Sequence, residues 1–140
     1  MASFRLMLGL PAIFVRQVLR VLWLPFLTKP NSLINNQQEV VIVADEEDVL
    51  VGFVCVQLKK SFCYDEYMPE ITEVYVSPTY RKKGIASEMI TFAENYCTHN
   101  YSLHKYELLT GRKNIIAQSV YGKLGYTDDN ELHLSKRIKK

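Results

Sequence analysis

The stretch from Val74 to Ala86 constrains the fold most. Val74-Tyr75-Val76 reads as the end of a strand, Ser77-Pro78 closes it, Arg81-Lys82-Lys83 follows, and Gly84 opens a helical pattern. From Gly84 to Cys97, the residues Ile85, Met89, Phe92 and Tyr96 recur at helical spacing and form one apolar stripe. A strand that feeds into an amphipathic helix implies a sheet with helices packed on its faces.

The flanking segments agree with that plan. Val40 to Ala44 is a short β-branched run, Asp45-Glu46-Glu47-Asp48 a solvated acidic turn, and Leu50 to Leu58 a second strand-like run. Together they predict an antiparallel hairpin. Ser61 to Pro69 reads as a loop with Tyr64-Asp65-Glu66-Tyr67 at its tip, and Glu70 to Val76 as the third strand. Tyr106 to Leu109 predicts a short strand. Asn114 to Leu124 predicts a second helix with Ile116, Val120 and Leu124 on one face and Gly125 as its stop signal. Glu131 to Ile138 alternates Leu132, Leu134 and Ile138 and predicts a final strand. The order β-β-β-α-β-α-β describes a mixed α/β sheet, of α+β type, over residues 38–140.

Residues 1–37 read as a separate apolar and basic segment. Pro11, Arg16, Arg20 and Pro25 interrupt the apolar stretch from Phe4 to Leu27, so no run approaches the ~20 residues of a membrane-spanning helix. Arg16 and Arg20 share one helical face, and Val15, Val18, Leu19 and Leu22 lie around another. This predicts an amphipathic helix packed on the body. A targeting segment or membrane-surface anchor is the alternative.

Charge sharpens the division. The formal net charge of the 140 residues is +2, yet residues 1–38 hold four basic residues and no acid, while residues 39–140 hold 13 basic and 15 acidic residues. A body at −2 has no whole-domain footprint for nucleic acid. Cys55, Cys63 and Cys97 are an odd number without metal-ligand spacing, which suits a reducing, cytoplasmic compartment and packing roles. His99, His104 and His133 are scattered, and no zinc pattern exists.

The chemistry gathers at two glycine-bearing junctions. At the first, free N–H groups at a helix start favour an anion, Gly84 lets it approach, and Arg81, Lys82 and Lys83 add positive charge. A pyrophosphate suits such a place. The ending is neither a Walker A loop nor a dinucleotide fingerprint. A solvated basic surface is the other reading of three basic residues at a helix start. The second junction runs from Asn114 to Tyr126, with Tyr121 near the helix end.

Together the junctions resemble the GNAT superfamily of N-acetyltransferases. Arg81-Lys82-Lys83-Gly84-Ile85-Ala86 after Val76-Ser77-Pro78 matches that family's Arg/Gln-x-x-Gly-x-Gly/Ala motif, with Ala86 at the commoner Gly position. Asn114, Ala117, Tyr121 and Lys123-Leu124-Gly125-Tyr126 match its second signature. The resemblance covers roughly residues 38–138. It implies a GNAT-like fold and acetyl-CoA as cosubstrate, with no metal. Val74, Tyr75 and Val76 would bond the pantetheine arm and the thioester carbonyl through their backbone. Arg81, Lys82, Lys83, Gly84, Ile85, Ala86 and Ser87 would surround the pyrophosphate, and Asn114 would bond the pantetheine. Tyr121 would stand near the sulfur as general acid.

Glu70 and Glu73 are both carried as the general base. In a regular strand they take opposite faces, and a bulge would change that parity. The implied reaction is direct acetyl transfer to a primary amine. The acidic, aromatic loop favours a small cation such as a polyamine or aminoglycoside as acceptor, and the protein itself is expected to be a monomer or homodimer. A protein N-terminal or lysine acetyltransferase, or a catalytically idle acyl-CoA-binding module, are the rivals. The strand and two helices with which the family begins are not recognisable in residues 1–37.

Overall fold

The computed structural model describes residues 3–7, 38–47 and 49–139. Its elements are β1 (Ser3–Met7), β2 (Glu39–Glu46), β3 (Val49–Lys60), β4 (Tyr67–Val76), a single 3-10 turn (Pro78–Tyr80), α1 (Ile85–Asn100), β5 (Glu107–Leu108) and α2 (Ile115–Lys123). The strands form one sheet in the order β1-β2-β3-β4-β5. The first three pairings are antiparallel and the last is parallel.

An opening strand is present after all. Ser3 lies opposite Asp45 and Met7 opposite Val41, so these residues are extended where the sequence pattern predicts helix from Phe4. A five-residue segment is too short for its pattern to separate strand from helix, and the edge of β2 decides it. The helix or anchor expected for the rest of residues 1–37 lies outside the described residues. Among the described residues no helix is long and apolar enough to cross a membrane.

The hairpin forms as expected, but Asp45 and Glu46 belong to strand rather than turn, and Glu47 takes a left-handed φ of 49° at the tip. Alternation gives the sheet two unlike faces. Val40, Ile42, Ala44, Val54, Val56, Leu58 and Ile71 face α1 and form the main core with it. Val43 and Phe53 are buried on the other face, where Phe53 stacks on Tyr75 with centroids 5.5 Å apart.

The buried side of α1 is Ile85, Met89, Ile90, Ala93 and Cys97, rotated from the predicted stripe. Phe92 is 37% exposed, because small Ala93 and Cys97 let the helix lie closer to the sheet than a Phe92–Tyr96 seam would. Gly52 marks another close approach: a Cβ there would stand 2.6 Å from the Tyr75 carbonyl oxygen.

The predicted last strand does not form. Glu131 to Lys139 has no regular structure, and Leu132, Leu134 and Ile138 are 76%, 79% and 82% exposed. An alternating pattern makes a strand only where a partner edge meets it.

Candidate active site

The parallel pairing of β4 and β5 sets the geometry. It consists of Glu70 with Glu107 and Ile71 with Leu108, plus an isolated bridge between Tyr67 and Leu103. Beyond Ile71 and Leu108 no further pair joins the two strands among the described residues. Among the described residues the outer edge of Thr72 to Val76 therefore has no strand partner, and its backbone groups are of a kind that could pair with a ligand.

At the end of β4 the chain turns through Pro78–Tyr80 into α1. Lys82 and Gly84 both take left-handed backbone, with φ of 63° and 82°. No side chain caps the start of α1, so the first amides of this helix retain their capacity to bind an anion. The space where Gly84 would carry a Cβ is open to 4 Å. Two of the three basic residues have partners beside this start. The Arg81 Nε donates to the Val76 carbonyl at 2.9 Å, and the Lys83 ammonium lies 5.1 Å from the centre of the Tyr80 ring. Arg81 thus braces the loop as well as lending it charge. Ala86 and Ser87 follow Ile85 in the first turn, half-buried.

Asn114 stands at the N-cap of α2, where its Oδ1 accepts from the Ala117 N–H at 3.2 Å. That bond uses only the oxygen of the amide. Tyr121, on the same helix, packs against the core cluster that also holds Ile85, Val74 and Val76. Burial raises its hydroxyl above the usual tyrosine range. Tyr126 meets Tyr121 edge-on at 6.2 Å and donates to Glu94 Oε1 at 2.5 Å.

The two candidate bases come together on one face. The β3–β4 register shifts between Cys55, opposite Glu73, and Val56, opposite Ile71, so Thr72 is the extra residue of a bulge. Without it Glu70 and Glu73 would take opposite faces. With it both project from the face away from α1, while Val74 and Val76 face α1. Their surroundings differ. Lys59 Nζ lies 2.9 Å from Glu70 and 2.8 Å from Glu107, and Lys105 lies 3.1 Å from Glu107. The hydrogen bond from Lys59 holds the Glu107 carboxyl below its ordinary range. Glu73 is exposed and accepts a short hydrogen bond from the Thr72 hydroxyl.

Glu39 and Cys55 join Glu73 on this face; their ligand atoms all lie within 4.8 Å of one another. Burial, with Glu73 beside it, raises the Glu39 carboxyl. Burial pushes the Cys55 thiol far up, which opposes the thiolate a soft metal would require. Glu39, Cys55 and Lys59 escape a reading of the sequence, because only strand register puts them beside the two candidate carboxylates.

A strand edge without a partner, an uncapped helix start and a half-buried tyrosine can hold an extended thioester with an anionic end. The sequence profile of the acetyltransferase (GNAT) family matches residues 15–126. This chain belongs to the GNAT family. A search of curated protein sequences finds no significant match. Solved GNAT structures align over nearly the whole chain. An aminoglycoside acetyltransferase from an uncultured soil metagenomic sample, in complex with sisomicin, gives a TM-score of 0.86 at 14% identity, covering 99% of this chain and 97% of its own. The aminoglycoside acetyltransferase AAC(6')-Iy, in complex with a CoA bisubstrate analogue, gives 0.81 at 16% identity and 99% coverage of both. A ribosomal-protein-alanine N-acetyltransferase from Brucella melitensis gives 0.76 at 18% identity, covering 98% and 100%. At these identities the likeness concerns the fold, the mixed α/β sheet of GNAT enzymes.

Proposed function

We propose that this GNAT protein transfers an acetyl group from acetyl-CoA to the primary amine of a small cationic molecule. The observation that carries the reading is the parting of β4 and β5 beside the uncapped start of α1. The thioester supplies an activated acyl carbon and a thiol leaving group; the chain supplies the rest. Val74 to Val76 hold the acyl end through backbone groups, and a preformed N–H donor facing the developing oxyanion is worth about 2.7–4 kcal/mol. The N–H groups from Lys82 to Ser87 hold the pyrophosphate, with charge from Arg81, Lys82 and Lys83. Asn114 holds the pantetheine.

An alkylammonium with a pKa near ~10 must lose a proton before it can attack. Glu73 takes it, directly or through water. It is preferred to Glu70 because it lies next to Val74 and has no ion pair with Lys59. As the C–N bond forms and the C–S bond breaks, Tyr121 gives its proton to the departing sulfur. Base and acid thus act from the two faces of the β4–β5 gap.

The cationic acceptor is supported by the carboxylates of Glu39, Glu70, Glu73 and Glu107 on one face, and by the aminoglycoside enzymes that share the fold. The likeness to a ribosomal-protein-alanine acetyltransferase supports the second reading, a peptide N-terminal amine. The test is thiol release from acetyl-CoA across aminoglycosides, polyamines and N-terminal peptides, with thermal shift as the binding control. We expect release with a cationic small molecule and at least a 10²-fold loss in Glu73→Gln, against a smaller loss in Glu70→Gln. A thermal shift without release on any amine would leave an acyl-CoA-binding module. No shift at all would refute both.

A further inference from the structure

Glu94, on α1, is bonded to two other parts of the chain at once. Its Oε1 accepts from the Tyr126 hydroxyl at 2.5 Å, and its backbone carbonyl accepts from the Tyr106 hydroxyl at 2.7 Å. Tyr106 has one proton to give, so the Thr98 hydroxyl, 2.6 Å away, donates to it. Tyr106 directly precedes β5, and Tyr126 follows α2. This turn of α1 is therefore locked to β5, the far wall of the gap, while its carboxylate holds the end of the helix that carries Tyr121. Packing alone does not call for a half-buried carboxylate beside Ala93.

The path from Glu94 to Tyr121 is short. The Tyr121 carbonyl accepts from the Leu124 and Tyr126 N–H groups, each at 3.0 Å, across the left-handed Gly125. The two tyrosine rings meet edge-on. A hydroxyl-to-carboxylate bond this short is charge-assisted and roughly twice as strong as a neutral one. Burial, with Glu94 beside it, raises the Tyr126 hydroxyl, so it stays a donor. The start of α2 is held by a different set of bonds. Gln118 Nε2 donates to the Gly111 and Arg112 carbonyls at 2.8 and 3.1 Å, and Asn114 caps the first turn.

We propose that Glu94 is a positioning residue for Tyr121, fixing the place of its ring through the Tyr126 hydroxyl. Only the consequence for turnover rests on the acyl-transfer reading; the placement does not. Because the two ends of α2 have separate anchors, loss of the Glu94 bond displaces Tyr121 and spares Asn114.

Ring placement and turnover are read separately. Fluorine NMR of the acetyl-CoA-bound protein, labelled with meta-fluorotyrosine, reports the first, with the Tyr121 resonance identified by its loss in Tyr121→Phe. We expect that resonance to shift in Glu94→Ala and to return in Glu94→Gln, whose amide oxygen still accepts from Tyr126. Thiol release with the amine that reacts in the panel above reports the second. Glu94→Ala and Tyr126→Phe should each lower kcat by about 10-fold, since a misplacement of ~1 Å can cost about 10²-fold. KM for acetyl-CoA should stay within about twofold. In a Tyr121→Phe background the loss of Glu94 should cost nothing further, because both act through one hydroxyl. An unmoved resonance in Glu94→Ala overturns the inference. So does an equal loss of kcat with and without Tyr121, which is what a merely structural role would give. A resonance that shifts in protein inactive on every amine upholds the placement and refutes only the acetyl transfer.

Discussion

Burial suits Tyr121 to the acid role proposed for it. Its raised pKa means that the side chain still holds its proton throughout the neutral and mildly alkaline range. The protonated form is lost only above the usual value near ~10, so kcat should not decline on its account below about pH 9. Tyr121→Phe should lower kcat by about 10²-fold or more while acetyl-CoA binding, read by thermal shift, is kept. Equal turnover in the variant would remove Tyr121 from the acid role. Gly52 is a residue of a different kind, needed for its lack of a side chain. Gly52→Ala should push the Tyr75 carbonyl and cost about 1–3 kcal/mol, seen as a lower urea midpoint at unchanged slope. If Tyr75 belongs to the edge proposed to hold the acyl group, the same variant should also weaken acetyl-CoA binding.

Among the elements, β4 holds most of the candidate site residues, and the bulge at Thr72 decides which face Glu70 and Glu73 share. The two helix starts and the Val74–Val76 strand end were legible in the sequence because they depend on local chemistry: a proline stop, a left-handed glycine, an asparagine cap. The facing of Glu70 and Glu73 was not, since parity depends on one extra residue seen only against β3. Lys59 was invisible for the same reason, its importance arising from a cross-strand meeting with Glu70 and Glu107. The misread ends, β1 and the C-terminal segment, are both cases where a partner edge, not the pattern, selects the state.

Lys59 also yields a prediction with a definite sign. Glu107, its pKa lowered, contributes stability above the unfolded value of about 4.5 and loses it as pH falls through the folded value. Lys59→Met would leave Glu70 and Glu107 directly opposed as like charges. With the Lys59 side chain 38% exposed, solvent screening limits the cost to about 1 kcal/mol at pH 7. The gap in urea stability from the wild type should shrink below about pH 4, where the carboxylates take up protons. A gap independent of pH would show that the lysine acts through packing alone.

At the scale of the whole molecule, the uneven charge of the sequence takes on a spatial meaning. Glu39, Glu70, Glu73 and Glu107 share the sheet face away from α1, whereas Arg81, Lys82 and Lys83 lie at the helix start, so in the proposed reaction an anionic cosubstrate and a cationic amine would have separate approaches. The short β4–β5 pairing has a mechanical consequence as well. β2, β3 and β4 are laced along most of their length, whereas β5 hangs on two residue pairs and a bridge. Pulled from its ends, the molecule should part first along this seam, releasing β5 and α2 while the three-stranded ladder holds. A thioester lying in the gap would stitch the same seam through the backbone of Thr72 to Val76. In an optical trap the first rip should therefore move to higher force when acetyl-CoA is added, and the second should not.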